Sequence, residues 1–192
     1  AGDQGQAEAA IGADLRMRDV KVRVLVQPEH ADQAQRHFEA TSAGLYFYGL
    51  WFGEYPYEQV TVVDPAWGGG GAGGMEYPTL FTCGTALFTT ADMYRPESVT
   101  VHECGHQFWY GLVGNNEFEA AWMDEGFNSY ADSEVLFRVY KEKRSATRYS
   151  GWPVWGKRVA SAPAATGLAG FLTGQHIKLG NKLGTVSPLG PT

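Results

Sequence analysis

The stretch TVHECGHQFW, residues 100–109, places two histidines four positions apart with a glutamate directly after the first. On a helix, residues four apart lie about 40° from each other around the axis, one turn along it. His102 and His106 therefore project from one face of a predicted helix and can bind a single ion. Glu103 lies about 100° away from His102, close enough to reach a metal-bound water without competing as a ligand.

A zinc site of the catalytic type needs a third protein ligand and one open coordination position. The segment WMDEGFNSYADSEVLF (122–137) has apolar residues at helical spacing and carries Glu125 near its start. If the two helices are antiparallel neighbours, Glu125 faces the histidine pair, whereas its rivals Glu117 and Glu119 fall in a predicted loop. Zinc lowers the pKa of a bound water towards about 7, and Glu103 could accept its proton. The alternative is an ordinary helix that carries two histidines.

Outward from these helices, the hydrophobic periodicity changes several times. In the helix predicted from Pro28 to about Leu50, and directly after it, we expect Phe38, Leu45 and Phe52 to contact the core. After about residue 150 the periodicity is weak, and two short helices with long loops are predicted. The earlier segments are a half-buried strand at 20–26, a helix from Pro28 to about Leu50, strands at 59–64 and 79–90, and the histidine-bearing helix from Pro96.

The segment WGGGGAGGMEYP (67–78) is dominated by six glycines. No Gly-Lys-Ser/Thr follows them, so the pattern does not favour a phosphate-binding loop. A flexible loop that leads into an edge strand, closely approached by another backbone, is the favoured interpretation.

The composition excludes several classes of protein. A chain of 192 residues with 44% hydrophobic residues can build one domain, or one piece of a larger protein. A net charge of −6 without a basic stripe argues against nucleic-acid binding, and no stretch reaches the roughly 18 to 20 apolar residues of a membrane span. Cys83 and Cys104 cannot form a disulfide framework, and Cys104 is expected to face the core.

Other polar residues support weaker expectations. His30, His37 and His176 have no partners at ligand spacing and are expected on the surface. Asp132 and Ser129 follow Glu125 by seven and four positions. Either could orient a metal ligand, or both could belong to a solvated helix face.

The motifs together resemble one peptidase family. His102-Glu103-x-x-His106, eighteen intervening residues and then Glu125 within WMDEGF are similar to the gluzincin metallopeptidases of the aminopeptidase N family. GGMEYP (73–78) looks like the Gly-x-Met-Glu-Asn exopeptidase motif of that family. The resemblance extends over about residues 20–145. It implies an α+β fold of the thermolysin-like type, with a small mixed sheet packed on helices and zinc in the cleft between them.

The resemblance also implies a role for individual residues. Tyr77 departs from the pattern, because it stands where the motif has asparagine. The resemblance assigns one Zn²⁺ to His102, His106 and Glu125, the general base to Glu103, the substrate α-amino group to Glu76, and the substrate backbone to Gly73, Gly74 and Met75.

The implied function is a zinc-dependent aminopeptidase that releases N-terminal residues from peptides by metal-activated water attack. The alternatives are a gluzincin endopeptidase or oligopeptidase, favoured if Glu76 does not face the cleft, and a non-catalytic zinc-binding fragment. The expected partners are peptide substrates and further domains of the same protein. The expected organisation is a lead-in at 1–19 and a catalytic domain at 20–192, truncated at its C-terminus.

The oxyanion-stabilising tyrosine of the family has no counterpart at the expected position in this sequence. In the family it follows the third ligand by roughly sixty residues, and GNKLGTVSPLGPT at that distance has no tyrosine. Tyr149 follows Glu125 by only 24 residues, which is too early. Loss of one oxyanion donor costs about 10² to 10³ in rate. We therefore expect the chain to bind zinc but to hydrolyse peptides weakly or not at all.

Overall fold

The computed structural model of the protein describes residues 17–86, 89–140, 144–149 and 152–158. Its main body is one mixed sheet packed against helices, which confirms the small mixed sheet predicted from the sequence. The strands of this sheet are β1 (Lys21–Leu25), β2 (Gln59–Val63), β3 (Gly74–Met75) and β4 (Leu80–Cys83). The helices are α1 (Ala34–Phe52), α2 (Glu97–Gly105) and α3 (Phe127–Tyr140), with 3₁₀ turns at Pro28–Gln33 and Gly70–Ala72 and a π-helical turn at Trp122–Gly126.

The sheet has the order β1-β2-β4-β3. Its first three strands are parallel, so the chain must cross over between them, and α1 makes the crossover from β1 to β2. The short strand β3 pairs antiparallel with β4 and forms the edge. A Cβ at Gly84 would lie only 2.9 Å from Gly73 Cα. The glycines therefore allow two backbones to approach closely, which confirms the expected edge strand.

Small residues of α1 allow α2 to pack closely against it. The predicted core contact of Phe52 is confirmed, because its ring stacks on the buried ring of Tyr48 with centroids 6.3 Å apart although Phe52 is 45% exposed. The same prediction for Phe38, which is 44% exposed, is wrong. A Cβ at Gly44 would lie 3.0 Å from Cys104 Sγ, so the helices meet at a small residue and a buried thiol. Leu45 packs against the edge of the core. The buried residues of α1 are His37, Ala40, Thr41, Gly44 and Tyr48.

The contact between α2 and α3 is closer still. Asn128 is fully buried and its Nδ2 donates to the carbonyl oxygen of His102 at 2.9 Å. A Cβ at Gly105 would lie 1.8 Å from Asn128 Oδ1, so no larger residue fits there without moving a helix. The helix that carries the histidines is thus held directly against the helix that follows Glu125.

A second group of histidines lies in the interior. The prediction that His30 and His37 lie on the surface is wrong, because they are 1% and 0% exposed. Asp64 Oδ2 lies 3.1 Å from His30 Nδ1 and 3.3 Å from His37 Nε2. Thr85 donates to Asp64, and Thr100 Oγ1 lies 2.8 Å from His37 Nδ1. We call these five residues the Asp64 cluster. Only the tertiary fold brings them together, so spacing along the chain gave no signal of it.

Burial alone would raise the pKa of the Asp64 carboxyl, but hydrogen bonds from His37 and Thr85 outweigh burial and lower this pKa below its ordinary value. Asp64 is therefore held in its charged form within the interior. His176 lies outside the described residues.

The chain after α3 differs from the expectation. Strands β5 (Arg144–Tyr149) and β6 (Trp152–Arg158) pair antiparallel. From the sequence, YKEKRSATR (140–148) is expected to be a solvated charge run that ends the second helix, followed by short helices. Residues 159–192 lie outside the described part. Within the described part, no helix is both long and apolar enough to cross a membrane.

Candidate metal centre

Three ligand atoms from two elements converge at the C-terminal end of α2. The Nε2 atoms of His102 and His106 are 3.2 Å apart. Glu125 Oε2 lies 3.3 Å from the first and 3.9 Å from the second. A tetrahedral zinc ion with bonds of about 2.0 to 2.2 Å holds its ligand atoms about 3.3 to 3.6 Å apart. The spacing of these three residues, the zinc triad, therefore fits such an ion.

The hydrogen-bond partners of the imidazoles strengthen this fit. His102 Nδ1 lies 2.7 Å from Asp132 Oδ2. His106 Nδ1 lies 2.7 Å from Asp124 Oδ1 and 3.1 Å from the carbonyl oxygen of Trp109. If each Nδ1–H is donated to these oxygens, both Nε2 atoms present lone pairs to each other. A cation between them removes that repulsion, as is typical of carboxylate–histidine–zinc arrangements.

The same partners change the pKa of each imidazole. Burial alone would lower the pKa of His102, but hydrogen bonds to Asp132 and Glu125 raise it well above its ordinary value. Burial and the neighbouring His102 would lower the pKa of His106, and the hydrogen bond to Asp124 raises it. Without metal, the acidic surroundings therefore favour protonated imidazoles. The site thus favours positive charge, either as protons on the two rings or as a bound metal ion.

Glu103 lies beside the zinc triad, between α2 and the edge strand. Its side chain is 6% exposed, and its Oε2 has no hydrogen-bond partner among the described residues. Burial raises the pKa of its carboxyl to about 7, against the lowering effect of His102 and His106. A Cβ at Gly74 would lie 2.6 Å from Glu103 Oε1, so the edge strand passes directly over the carboxylate. Such a group can exchange a proton near neutral pH.

Glu125 is presented by the π-helical turn Trp122–Gly126. Such turns insert one extra residue into a helix and occur frequently at functional sites. The turn places the carboxylates of Asp124 and Glu125 in successive positions near His106. Of the rival ligands, Glu117 lies with a different group of carboxylates, and Glu119 is exposed in the loop. Within the described residues, the histidine pair has Glu125 as its carboxylate at ligand distance.

A second group of carboxylates lies next to the zinc triad. Oxygen atoms of Glu76, Glu117 and Asp124 all lie within 4.8 Å of one another. We call this group the carboxylate trio. Burial, a hydrogen bond to Asp124 and the charge of Glu76 raise the pKa of Glu117. Three like charges at this distance repel each other, which favours binding of a positively charged group.

Gln107 holds the chain segment next to Glu76. Its buried side chain donates from Nε2 to the carbonyl oxygen of Tyr77 at 3.1 Å and accepts from the backbone N–H of Thr79 at 2.7 Å. The end of β3 is thereby fixed to the helix of the histidines. Met75 and Tyr77 are 38% and 53% exposed.

Sequence reasoning missed two residues of this centre. Gln107 directly follows the second histidine, and Asp124 directly precedes the third ligand. Their positions beside the motif residues were the available signal. Asp132 was one of two open possibilities, and it contacts His102. Within the described part of the chain Ser129 makes no such contact, and its carbonyl oxygen accepts from Ser133 Oγ.

Comparison with known proteins identifies the family. Residues 36–164, more than half of the chain, match the Peptidase family M1 domain. The protein belongs to peptidase family M1. This confirms the resemblance to the gluzincins of the aminopeptidase N family, which were expected from the motifs at His102, Glu125 and Glu76.

Curated relatives agree with this family. The chain is 29% identical over 154 residues to leucine aminopeptidase 2 of Ajellomyces capsulatus, covering 76% of this chain and 22% of that protein. It is 27% identical over 159 residues to aminopeptidase 2 of Candida albicans, covering 74% and 15%. It is 32% identical over 103 residues to a leukotriene A-4 hydrolase homolog of Botryotinia fuckeliana, covering 51% and 15%. The chain therefore spans about a fifth of the length of the relatives it matches, or less.

Proposed function

We propose that this chain is the zinc-binding catalytic part of an aminopeptidase with a thermolysin-like fold. The observation that carries the proposal is the convergence of His102 Nε2, His106 Nε2 and Glu125 Oε2 at 3.2 to 3.9 Å beside the buried carboxyl of Glu103. Membership of family M1 supports the same activity.

Zinc bound to His102, His106 and Glu125 would supply a Lewis acid for the substrate carbonyl and lower the pKa of a water molecule. Glu103 is the proposed general base, since its pKa of about 7 without metal allows it to accept and return a proton. A zinc ion bound next to Glu103 would lower this raised pKa and so favour the carboxylate form that accepts the proton. Asp132 and Asp124 hold the two imidazoles in the orientation that leaves Nε2 free for metal.

Glu76 is the proposed anchor for the substrate α-ammonium group. It belongs to the carboxylate trio, whose charge suits a cation, and Asp124 of that trio also contacts His106. An ammonium group held at a fixed distance from the metal selects the first peptide bond of the substrate. Gly73, Gly74 and Met75 of the edge strand would lie beside the substrate backbone. This arrangement favours an aminopeptidase over an endopeptidase, which has no use for an ammonium anchor.

The proposal includes the domain organisation. Residues 20–192 are proposed to form the catalytic domain after a lead-in at 1–19, and the whole protein is proposed to contain further domains. No tyrosine follows Tyr149 in the sequence. We therefore expect slow turnover by this chain alone, because an oxyanion donor is worth about 10² to 10³ in rate.

Fluorogenic aminoacyl amides and their N-acetylated forms test the proposal, each with and without a chelator. We expect slow cleavage that is faster for the free-amine substrates than for the N-acetylated forms, abolished by the chelator and restored by zinc. Equal cleavage of both forms would support an endopeptidase instead. One bound zinc without turnover of either form would support a non-catalytic fragment.

A variant pair sharpens this test. Glu76→Gln should weaken cleavage of free-amine substrates far more than cleavage of N-blocked ones, because it removes one negative charge from the anchor. Glu58→Gln, at an exposed position before β2, is the matched control and should change neither. An equal loss on both substrate classes for Glu76→Gln would give this residue a structural role.

A further inference from the structure

A cleft with one positive charge adjoins the proposed active site at the end opposite the carboxylate trio. It has a volume of about 350 Å³ and lies between the glycine-rich loop, the end of β4 and Arg95. The described residues that line it are otherwise uncharged, and they include Trp67, Gly73 and Thr85. Arg95 is exposed, and its Nε donates to the carbonyl oxygen of Gly84 at 3.3 Å.

Arg95 is aligned with the proposed catalytic base. Arg95, Val99 and Glu103 are spaced four residues apart, so they follow one face of α2 and the turn before it. A Cβ at Gly74 would lie 2.6 Å from Glu103 Oε1 and 3.6 Å from Val99 Cγ2, so β3 runs along this face. A second groove, lined by Arg95, Ser98, Val99 and His102, connects the arginine with a proposed zinc ligand.

The order of the charged groups along the edge strand indicates how a bound peptide would be oriented. Glu76 of the carboxylate trio lies at the C-terminal end of β3, Gly74 lies against Glu103, and Gly73 borders the cleft of Arg95. If Glu76 binds the substrate ammonium, the rest of the peptide must extend past Glu103 towards Gly73 and Arg95. The protein surface along β3 therefore has the carboxylate trio at one end, the proposed base Glu103 in the middle and the guanidinium of Arg95 at the other end.

We propose that Arg95 binds the C-terminal carboxylate of the substrate, so that the preferred substrates are short peptides with both termini free. This inference rests on the proposed function. The step from Glu76 to Gly73 covers about 10 Å at 3.3 Å per strand residue. An extended peptide spans about 3.3 to 3.6 Å per residue, so a peptide of about three residues reaches from the trio to the cleft. A guanidinium binds a carboxylate with paired, charge-assisted hydrogen bonds.

Peptide binding tests the proposal without requiring turnover. Zinc-loaded Glu103→Gln protein would be titrated calorimetrically with Ala-Ala-Ala, its C-terminal amide and its N-acetyl form. We expect the amide to bind about 5- to 20-fold more weakly than the acid, as for loss of one charge-assisted contact. Adding Arg95→Gln should remove the difference between acid and amide, and Arg95→Lys should keep part of it. Arg23→Gln, at an exposed position on β1, should keep all of it.

The arms of this experiment separate the two hypotheses. Equal affinity for acid and amide, or equal weakening of both by Arg95→Gln, would overturn the role of Arg95. Binding of Ala-Ala-Glu amide as tight as that of Ala-Ala-Ala would show that a side-chain carboxylate suffices, and would overturn the selection of short peptides. Equal binding of the N-acetyl peptide would refute the ammonium anchor while leaving Arg95 in place. No binding of any peptide would count against both. Zinc content and circular dichroism of each variant check that it is folded.

Discussion

The zinc triad and the Asp64 cluster both combine two histidines with a carboxylate, yet they are suited to opposite tasks. In the triad, the Nδ1 atoms of His102 and His106 contact Asp132 and Asp124, and both Nε2 atoms point to one place beside Glu125. In the Asp64 cluster, the imidazoles instead approach one oxygen of a shared, fully buried carboxylate.

The two groups differ in which atoms the ring nitrogens of their histidines contact. His37 contacts Thr100 through one nitrogen and Asp64 through the other, so neither is free for a metal. In the triad the two Nε2 atoms face each other and Glu125, whose side chain is partly exposed. A histidine pair with a carboxylate is therefore a structural cluster when the carboxylate is buried together with both rings, as at Asp64, and a candidate metal site when one nitrogen of each ring converges on a partly exposed carboxylate.

The largest expected effect concerns metal binding. Glu125→Ala should lower the zinc affinity on the order of 10³-fold or more, because one of three protein ligands is lost. Glu119→Ala, in the neighbouring loop, is the control. Glu103→Gln should keep one zinc per chain while turnover falls about 10² to 10⁴-fold, since proton transfer alone is removed. Elemental analysis and competition titrations measure zinc. A Glu103→Gln protein without zinc would mean that Glu103 has been given the wrong role.

The next largest effect concerns the buried cluster. Asp64→Asn should lower the free energy of unfolding by about 3 kcal/mol, because it removes the buried carboxylate that His37 and Thr85 contact through hydrogen bonds. The folded variant should still bind one zinc per chain. Urea unfolding with chelator present measures the stability, and Asp32→Asn at an exposed position serves as control. Loss of zinc without loss of stability would show that the two regions are not independent in the way described.

A smaller effect distinguishes the two polar residues that follow Glu125 on α3. Asp132→Asn should weaken zinc binding about 10- to 100-fold, because the His102 ring loses its charged partner. Ser129→Ala should leave zinc affinity unchanged. Stability without metal should change by less than about 1 kcal/mol in both. Equal zinc affinity of the two variants would contradict the orienting role of Asp132.

The smallest effect is the response to pH. The raised pKa values of His102 and His106 contribute stability that is fully present below their ordinary value of 6.5 and is lost as pH rises through the raised values. Glu103, raised from 4.5 to about 7, acts in the same direction, since the folded chain favours its acid form. The melting temperature of the chelated protein should therefore fall by about 2 to 4 °C between about pH 6 and 8.

Zinc should reverse this response, because it displaces the protons of its ligands and binds more tightly as pH rises. The lowered pKa of Asp64 acts elsewhere: its contribution is present above the ordinary value of 3.8 and is lost only as pH falls through the lower folded value. Scanning calorimetry at several pH values, with and without zinc, measures both. A chelated protein whose melting temperature rises over this window would contradict the assignment.

The elements set by local pattern could be predicted from the sequence. The alternation in β1, the proline and acid at the start of α2 and the glycines before β3 each have a short-range physical cause, and the structure places all three as expected. The separation of His102 and His106 by four positions was sufficient to predict that both lie on one face of a helix. Glu125 was predicted from two signals, the helical spacing of the apolar residues that follow it and the resemblance of WMDEGF to the family motif.

What could not be predicted depends on packing between distant segments. Phe38 is apolar but 44% exposed, because α1 turns its small residues towards α2 instead. His30, His37 and Asp64 are brought together by β2 and the start of α1, so no spacing along the chain relates them. Strand β5 replaces a predicted solvated charge run and β6 replaces a predicted short helix, because weak periodicity gave no basis for choosing between strand and helix there.

The close contact between Gly105 and Asn128 would influence which metal ion fits the proposed zinc triad. The histidines belong to one helix and the third ligand to the turn that begins the next, so the distance between the helices sets the radius of the space for the ion. A methyl group at Gly105 would have to displace Asn128, at 1.8 Å, and would widen that space. Ions that prefer longer bonds and more ligands, such as Mn²⁺ or Ca²⁺, would gain relative to zinc. If the zinc triad binds a metal as proposed, the missing side chain at Gly105 would keep the two helices close enough together to favour a small tetrahedral ion.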